Sequence, residues 1–220
     1  MAELETPDEL ESIYLARFDE VSEHRPLFTG DVYRMSDGHL VMVLQHPCAL
    51  RRGVDLYPKT LVAPVQPDTL RSDWAKAAYT KMPLPRLIDG KDHSADFVTP
   101  ELPDSPTLVA SERIAVMSQS GVNLLMQRWS HHSTRLVVPT HLYSDVALGP
   151  FDEADLLEEW TQDRVESGST STAAEHECSA WLDKKENGKI RRAMLSDPQY
   201  ASAVRRDARQ YRKSEKLAVE

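Results

Sequence analysis

The sequence predicts an α+β protein, with a small β-barrel between one N-terminal helix and a charged helical C-terminal region. Three observations predict it. A capping box followed by an apolar stripe opens the chain, short alternating runs separated by turn residues fill its middle, and acid-rich then base-rich helical patterns close it. The expected organisation is residues 1–27 as an amphipathic helix, 28–150 as a barrel domain with long inserted loops, and 151–220 as the helical region.

Thr6-Pro7-Asp8-Glu9 sets a hydroxyl ahead of a first-turn proline, with a glutamate three residues on that can return a bond to the cap. Leu10, Ile13, Tyr14, Phe18 and Val21 then recur at three- and four-residue spacings, which predicts a helix of about four turns ending at His24-Arg25-Pro26. From Phe28 the period changes. Residues 31–35 alternate, Ser36-Asp37-Gly38 is turn chemistry and 40–44 is an apolar run, so a hairpin is expected. A third strand over 60–65 carries Pro64, which predicts an edge or a bulge. Residues 74–79 read as a short helix or part of a connection, 97–98, 114–117 and 134–138 as strands, and 122–129 as a helix. Five of the fourteen prolines fall within 81–107, which predicts a long surface excursion there.

Gly149-Pro150 is expected to close the β-rich unit, and 166–171 to be a flexible joint. Thr172-Ala173-Ala174-Glu175 matches a capping box for a helix containing Trp181 and Leu182, and Asn187-Gly188 is a turn. Asp197-Pro198 opens a final helix with Tyr200, Val204, Ala208 and Tyr211 on one face. Its other face carries Arg205, Arg206, Arg209, Arg212, Lys213 and Lys216.

A net charge of −9 argues against a general nucleic-acid coat, since such binding needs clustered cations that displace counterions. The distribution is segregated: 151–163 hold six acids and no base, whereas 184–216 hold eleven bases against four acids. The basic helix therefore has two candidate targets, the acidic segment 152–163 or a separate protein or nucleic-acid partner, met by Arg205, Arg209, Arg212 and Lys216. No apolar run approaches the length of a membrane span, and the acidic start does not resemble a secretory signal, so a cytoplasmic protein is expected. Cys48 and Cys178 form no metal-knuckle spacing. Phosphate-loop, dinucleotide, nucleophile-elbow and zinc-protease motifs are all missing, and no cofactor or metal is expected.

The most unusual local sequence is 45–53, where Cys48 and His46 are followed by Arg51 and Arg52. Neighbouring positive charge favours a thiolate, so Cys48 with His46 is a candidate nucleophile and base. The competing reading makes Cys48 a strand-end packing residue, His46 a cap and the arginines surface pairs or a binding pair. His131-His132, His141 and His93, and separately His176-Glu177-Cys178, have ligand atom types, but adjacent residues diverge on strands and helices alike.

Gly30-Asp31-Val32-Tyr33, residues 40–45 and the Leu61-Val62-Ala63-Pro64-Val65 strand together resemble the opening three strands of the MazF/PemK toxin barrel. The resemblance covers 28–67. It implies an SH3-like β-barrel of the kind found in sequence-specific endoribonucleases, whereas the Gln45-His46-Pro47-Cys48 loop is foreign to the toxins and resembles that of barrel proteins of actinobacteria. Where the family has a cleaving arginine before the second strand this chain has Gly38-His39, and where it has a threonine or serine after the third it has Gln66. The expected function is thus a non-catalytic interaction protein on a degenerate barrel, in a toxin–antitoxin or phage-defence setting, with a homodimer through the barrel also open. The alternatives are an endoribonuclease using His39 and Arg34, or a thiol hydrolase using Cys48 and His46.

Overall fold

The computed structural model describes residues 3–71, 74, 79–186 and 188–217, apart from the side chains of 144–148 and 215–217. Most of the predicted 74–79 element lies outside the described residues. The chain divides into two compact units, one of 1–21, 27–52 and 56–147, the other of 22–26, 53–55 and 148–220. Among the described residues no helix is long and apolar enough to cross a membrane.

The first unit is built on a seven-stranded antiparallel sheet that curls into a half-barrel. Its strands are β1 (Tyr14–Arg17), β2 (Val32–Arg34), β3 (Leu40–Val43), β4 (Val62–Pro67), β5 (Lys81–Ile88), β6 (Lys91–Asp96) and β7 (Glu112–Met117), in the spatial order β1-β7-β2-β3-β4-β6-β5. Val32 faces Met42 across the predicted hairpin, and Leu40 faces Val65 on β4. Tyr33, Val41, Val43 and Val62 bury against Leu50 and Leu108, the last from the short helix α2 (Ser105–Val109). The one-turn helix α1 (Pro47–Leu50) follows β3, and α3 (Gln119–Thr134) follows β7 with Ser118 as its cap.

The sheet corrects four sequence readings. The N-terminal helix is instead a 3-10 turn over Leu10–Ile13 followed by β1. Pairing with β7 outweighs local helical preference, because Ile13 is fully buried and its carbonyl accepts from Ser118 N at 2.8 Å, while Leu10 and Phe18 stay exposed. Residues 81–107 are not an excursion: Asp89 (φ 50°) and Gly90 (φ 69°) form the left-handed pair of a tight hairpin joining β5 to β6. Pro64 lies in an interior strand, opposite Val41, at the point where pairing of β4 with β6 has not yet begun. The expected strand over 134–138 is absent: α3 ends at Thr134, stopped by Arg135 at φ 65°, and 136–138 are irregular.

The two edges of the sheet are β1 and β5, and side chains join them. Tyr14 Oη donates to Pro85 O at 3.0 Å, Arg17 Nη1 donates to Arg86 O at 2.9 Å, and Glu11 pairs with both Arg17 and Arg86. Pro83 and Pro85 have no N–H to offer a neighbouring strand, so the seam uses their edge's carbonyls and imported side-chain donors.

The second unit packs α4 (Thr140–Glu166), which enters it from residue 148, against α5 (Ser171–Leu182), α6 (Arg191–Leu195) and α7 (Pro198–Leu217). The units divide between 147 and 148, next to the expected Gly149-Pro150, but that pair lies within α4 rather than in a break between elements. Gly149 is required there because a Cβ would stand 2.3 Å from Ser196 Oγ. The joint after Glu166 is present, and the cap of α5 is Thr170, accepting from Ala173 N, two residues before the predicted one. The predicted apolar face of α7 is core: Val204 and Ala208 are buried and Tyr211 stacks on Trp160.

Candidate functional site

An open groove of about 640 Å³ crosses the wall of the half-barrel, lined by Asp37, Gly38, His39 and Leu40 from the β2–β3 hairpin, Pro64, Val65, Gln66 and Pro67 from β4, His93 from β6, and Glu101. Pairing of Leu40 with Val65 and of Pro67 with His93 fixes three strands side by side beneath it. Glu101 is tied in by a two-way backbone bridge to Val62 (2.8 and 3.0 Å). The structure thus brings together Gly38-His39 and Gln66.

His39 stands between two carboxylates. Its Nδ1 contacts Asp37, and its Nε2 lies 3.7 Å from Glu101. The hydrogen bond from His39 holds the Asp37 carboxyl below its ordinary range. His93 is 6 % exposed, and its Nδ1 lies 3.1 Å from Lys91 O. Nδ1–H donates to that carbonyl. No lysine or arginine lines the groove among the described residues.

The other predicted residues lie elsewhere. Arg34 is not in the groove; its Nη1 pairs with Glu112 at 2.7 Å across β2 and β7. Cys48 and His46 lie beyond the opposite end of β3 from His39. Cys48 is exposed, but His46 Nδ1 accepts the backbone N–H of Cys48 at 3.3 Å as the cap of α1 and its Nε2 is buried, so the imidazole is not presented as the thiol's base. Burial lowers the His46 pKa, which favours the neutral cap. Arg51 Nη2 donates to Leu27 O, and Arg52 is exposed.

The basic face of α7 meets the acidic face of α4. Arg205 pairs with Asp152 (2.5 Å) and Asp155 (3.6 Å), and Arg212, 7 % exposed, lies 3.5 Å from Glu159 and 3.7 Å from Asp163. Arg209 reaches Glu159 only at 3.9 Å and remains exposed, and the Lys216 side chain lies outside the described residues. His131 and His132 sit in the last turn of α3 beside Tyr79, Phe97 and Trp129. Glu177 receives Arg164 (2.6 Å) and Trp160 (3.2 Å), and Cys178 is buried. No cluster of three metal-ligating side chains occurs among the described residues.

Two residues were not assigned to this groove by the sequence reading, which named His93 only for its ligand atom type. His93 had a signal, since Asp89-Gly90 marks the hairpin that carries β6 to β4. Glu101 had none, because its place depends on the bridge to Val62. No protein-family model and no curated protein matches this chain.

Proposed function

We propose that the chain is a non-catalytic macromolecular interaction protein on a MazF/PemK-like, SH3-type barrel, acting in the bacterial cytoplasm in a toxin–antitoxin or phage-defence setting, with the barrel groove as its recognition surface. One observation carries this reading: the groove holds Asp37 and Glu101 and, among the described residues, no lysine or arginine. RNA binding and phosphodiester cleavage both need cations, first against the backbone charge and then against the charge of the transition state. Two carboxylates oppose both. On the basic face of α7, the other candidate surface, Arg205 and Arg212 are engaged by α4.

A second reading rests on His39 and His93 lining the same groove, since two imidazoles can serve as acid and base in RNA cleavage. Incubation of the full chain with a random-sequence RNA pool, followed by sequencing of product ends, separates the two. The interaction reading predicts the same ends from the protein and from its His39→Ala/His93→Ala variant. Sequence-specific ends lost in that variant would establish the endoribonuclease.

A further inference from the structure

Residues 3–9 form an arm with no helix or strand, and of their side chains only Leu4 is buried, at 2 % exposure. The arm is nevertheless read in detail by α3 and by the first residue of α4. Gln127 Oε1 accepts the Glu5 N–H at 2.7 Å, and Arg128 Nη2 donates to the Glu5 carbonyl at 3.0 Å. The Glu5 carboxylate accepts from Thr140 N at 2.8 Å, Thr140 Oγ1 at 2.5 Å and Gln127 Nε2 at 3.1 Å. Desolvation opposes its charge, but the hydrogen bonds from Thr140 and Gln127 hold the Glu5 carboxyl below its ordinary range. Gln127 and Arg128 have no exposed surface, so their polar groups are costly to bury and need the main-chain and carboxylate atoms that Glu5 brings. An apolar helix face would hold an arm without that cost. Side chains that read one residue's N–H, carbonyl and carboxylate, where the preceding apolar residue is buried, are the equipment of a peptide site.

We propose that this cradle of Gln127, Arg128 and Thr140 is a docking site for an extended segment of a partner protein in which a leucine precedes a glutamate, and that the arm is its internal, autoinhibitory occupant. The arm's own Leu4-Glu5 defines the chemistry that fits. Among the described residues no backbone–backbone hydrogen bond ties 4–8 to the sheet, so the arm can detach while the barrel stays folded. The chain is next anchored at the fully buried Ile13, and so short a tether keeps the arm at an effective concentration on the order of millimolar. A partner segment must out-compete it, or the arm must first be drawn away. None of these residues lines the groove, so the proposal stands apart from the interaction reading above.

The test is an NMR titration of the full chain with the blocked peptide Ac-Glu-Leu-Glu-Thr-NH2 and its control Ac-Glu-Leu-Gln-Thr-NH2. It compares the wild type with Leu4→Ala/Glu5→Ala, which weakens the internal occupant and leaves the cradle residues intact. The variant is expected to show saturable shifts at 127, 128 and 140, with binding at least about tenfold tighter than to the wild type and at least about tenfold tighter than the control peptide. No saturable shift in the folded variant, shifts centred elsewhere, or equal binding by the two proteins or of the two peptides overturns the proposal. Contacts between the arm of one copy and the cradle of another in a mixed-label sample would assign the site to arm exchange and overturn the partner reading. Should the variant lose its fold, hydrogen exchange of the wild type decides. The Glu5 and Thr140 amides are expected to exchange through an opening that leaves the β3 and β4 amides protected, and exchange only together with those strands overturns the proposal.

Discussion

Replacing Gly121 with alanine asks whether the N-terminal strand is held as described. Within a helix the change is favourable by about 1 kcal/mol. Here the new Cβ would stand 2.2 Å from Ile13 O, 3.0 Å from Ile13 C and 3.1 Å from Ile13 Cα, all backbone atoms. That backbone has little room to retreat, because Ser118 N donates to Ile13 O at 2.8 Å and Ser118 Oγ donates to Ser12 O at 2.6 Å. Overfilling a packed site costs about 1–3 kcal/mol, and a clash with backbone belongs at the upper end, so the net expectation is a loss of about 2 kcal/mol. Hydrogen exchange of the β2, β3 and β4 amides reads the first unit by itself, and that loss appears as exchange on the order of 30-fold faster. Unchanged or slower exchange would mean that propensity governs the site and that Ile13 is not pressed against α3.

Four further outcomes follow from the packing. Cys178 is buried and its thiol is pushed up to about 12 by desolvation, whereas Cys48 is exposed, so a thiol reagent should label Cys48 within minutes at pH 8 and Cys178 only after unfolding; rapid labelling of both would contradict the packing of α5. Glu177→Ala takes the carboxylate from the nearly buried Arg164 and should cost about 2–4 kcal/mol in urea titrations followed by the fluorescence of Trp160 and Trp181, and a loss below about 0.5 kcal/mol would show that the pair is not structural. Deleting 197–220 removes Val204, Ala208 and Tyr211 from the second unit's core, so residues from 148 onward should become protease-sensitive while the barrel persists; a resistant fragment spanning 148–196 would refute that packing. Glu11 is held below its ordinary value by hydrogen bonds from Arg17 and Arg86. Its contribution is therefore present above the unfolded carboxylate value and is lost as pH falls through the lower folded one, and amide exchange in β1 should accelerate below about pH 4, an acceleration that Glu11→Gln reproduces at neutral pH.

What the sequence made legible is what local chemistry determines. The turn at Gly38 fixed the β2–β3 hairpin, and Asp197-Pro198 fixed the start of α7, where Gln199 N donates to Asp197 Oδ1 at 3.0 Å. The helix expected from Leu10 and Ile13 failed because the apolar spacing is shared between a 3-10 turn and an edge strand, and only the partner strand β7 decides between them. Proline misled at Pro64, which lies in an interior strand, and again in β5 and α4. In β5 it marks an edge sealed by side-chain donors, and in α4 Pro150 follows a glycine selected by its closeness to Ser196. The groove was half legible, since His39 and Gln66 were singled out by position, whereas His93 and Glu101 join them only through long-range pairing. The suggested dyad of Cys48 and His46 dissolved for a local reason: a histidine at a helix cap spends Nδ1 on the backbone two residues on.

The most direct test of the groove's role is a photocrosslinking amino acid placed at Gln66, which lines the groove at the exposed end of β4, in full-length protein made in its native host. The account predicts a crosslink to a single polypeptide, lost in the Asp37→Asn/Glu101→Gln background. A crosslink to RNA that survives in that background would contradict it.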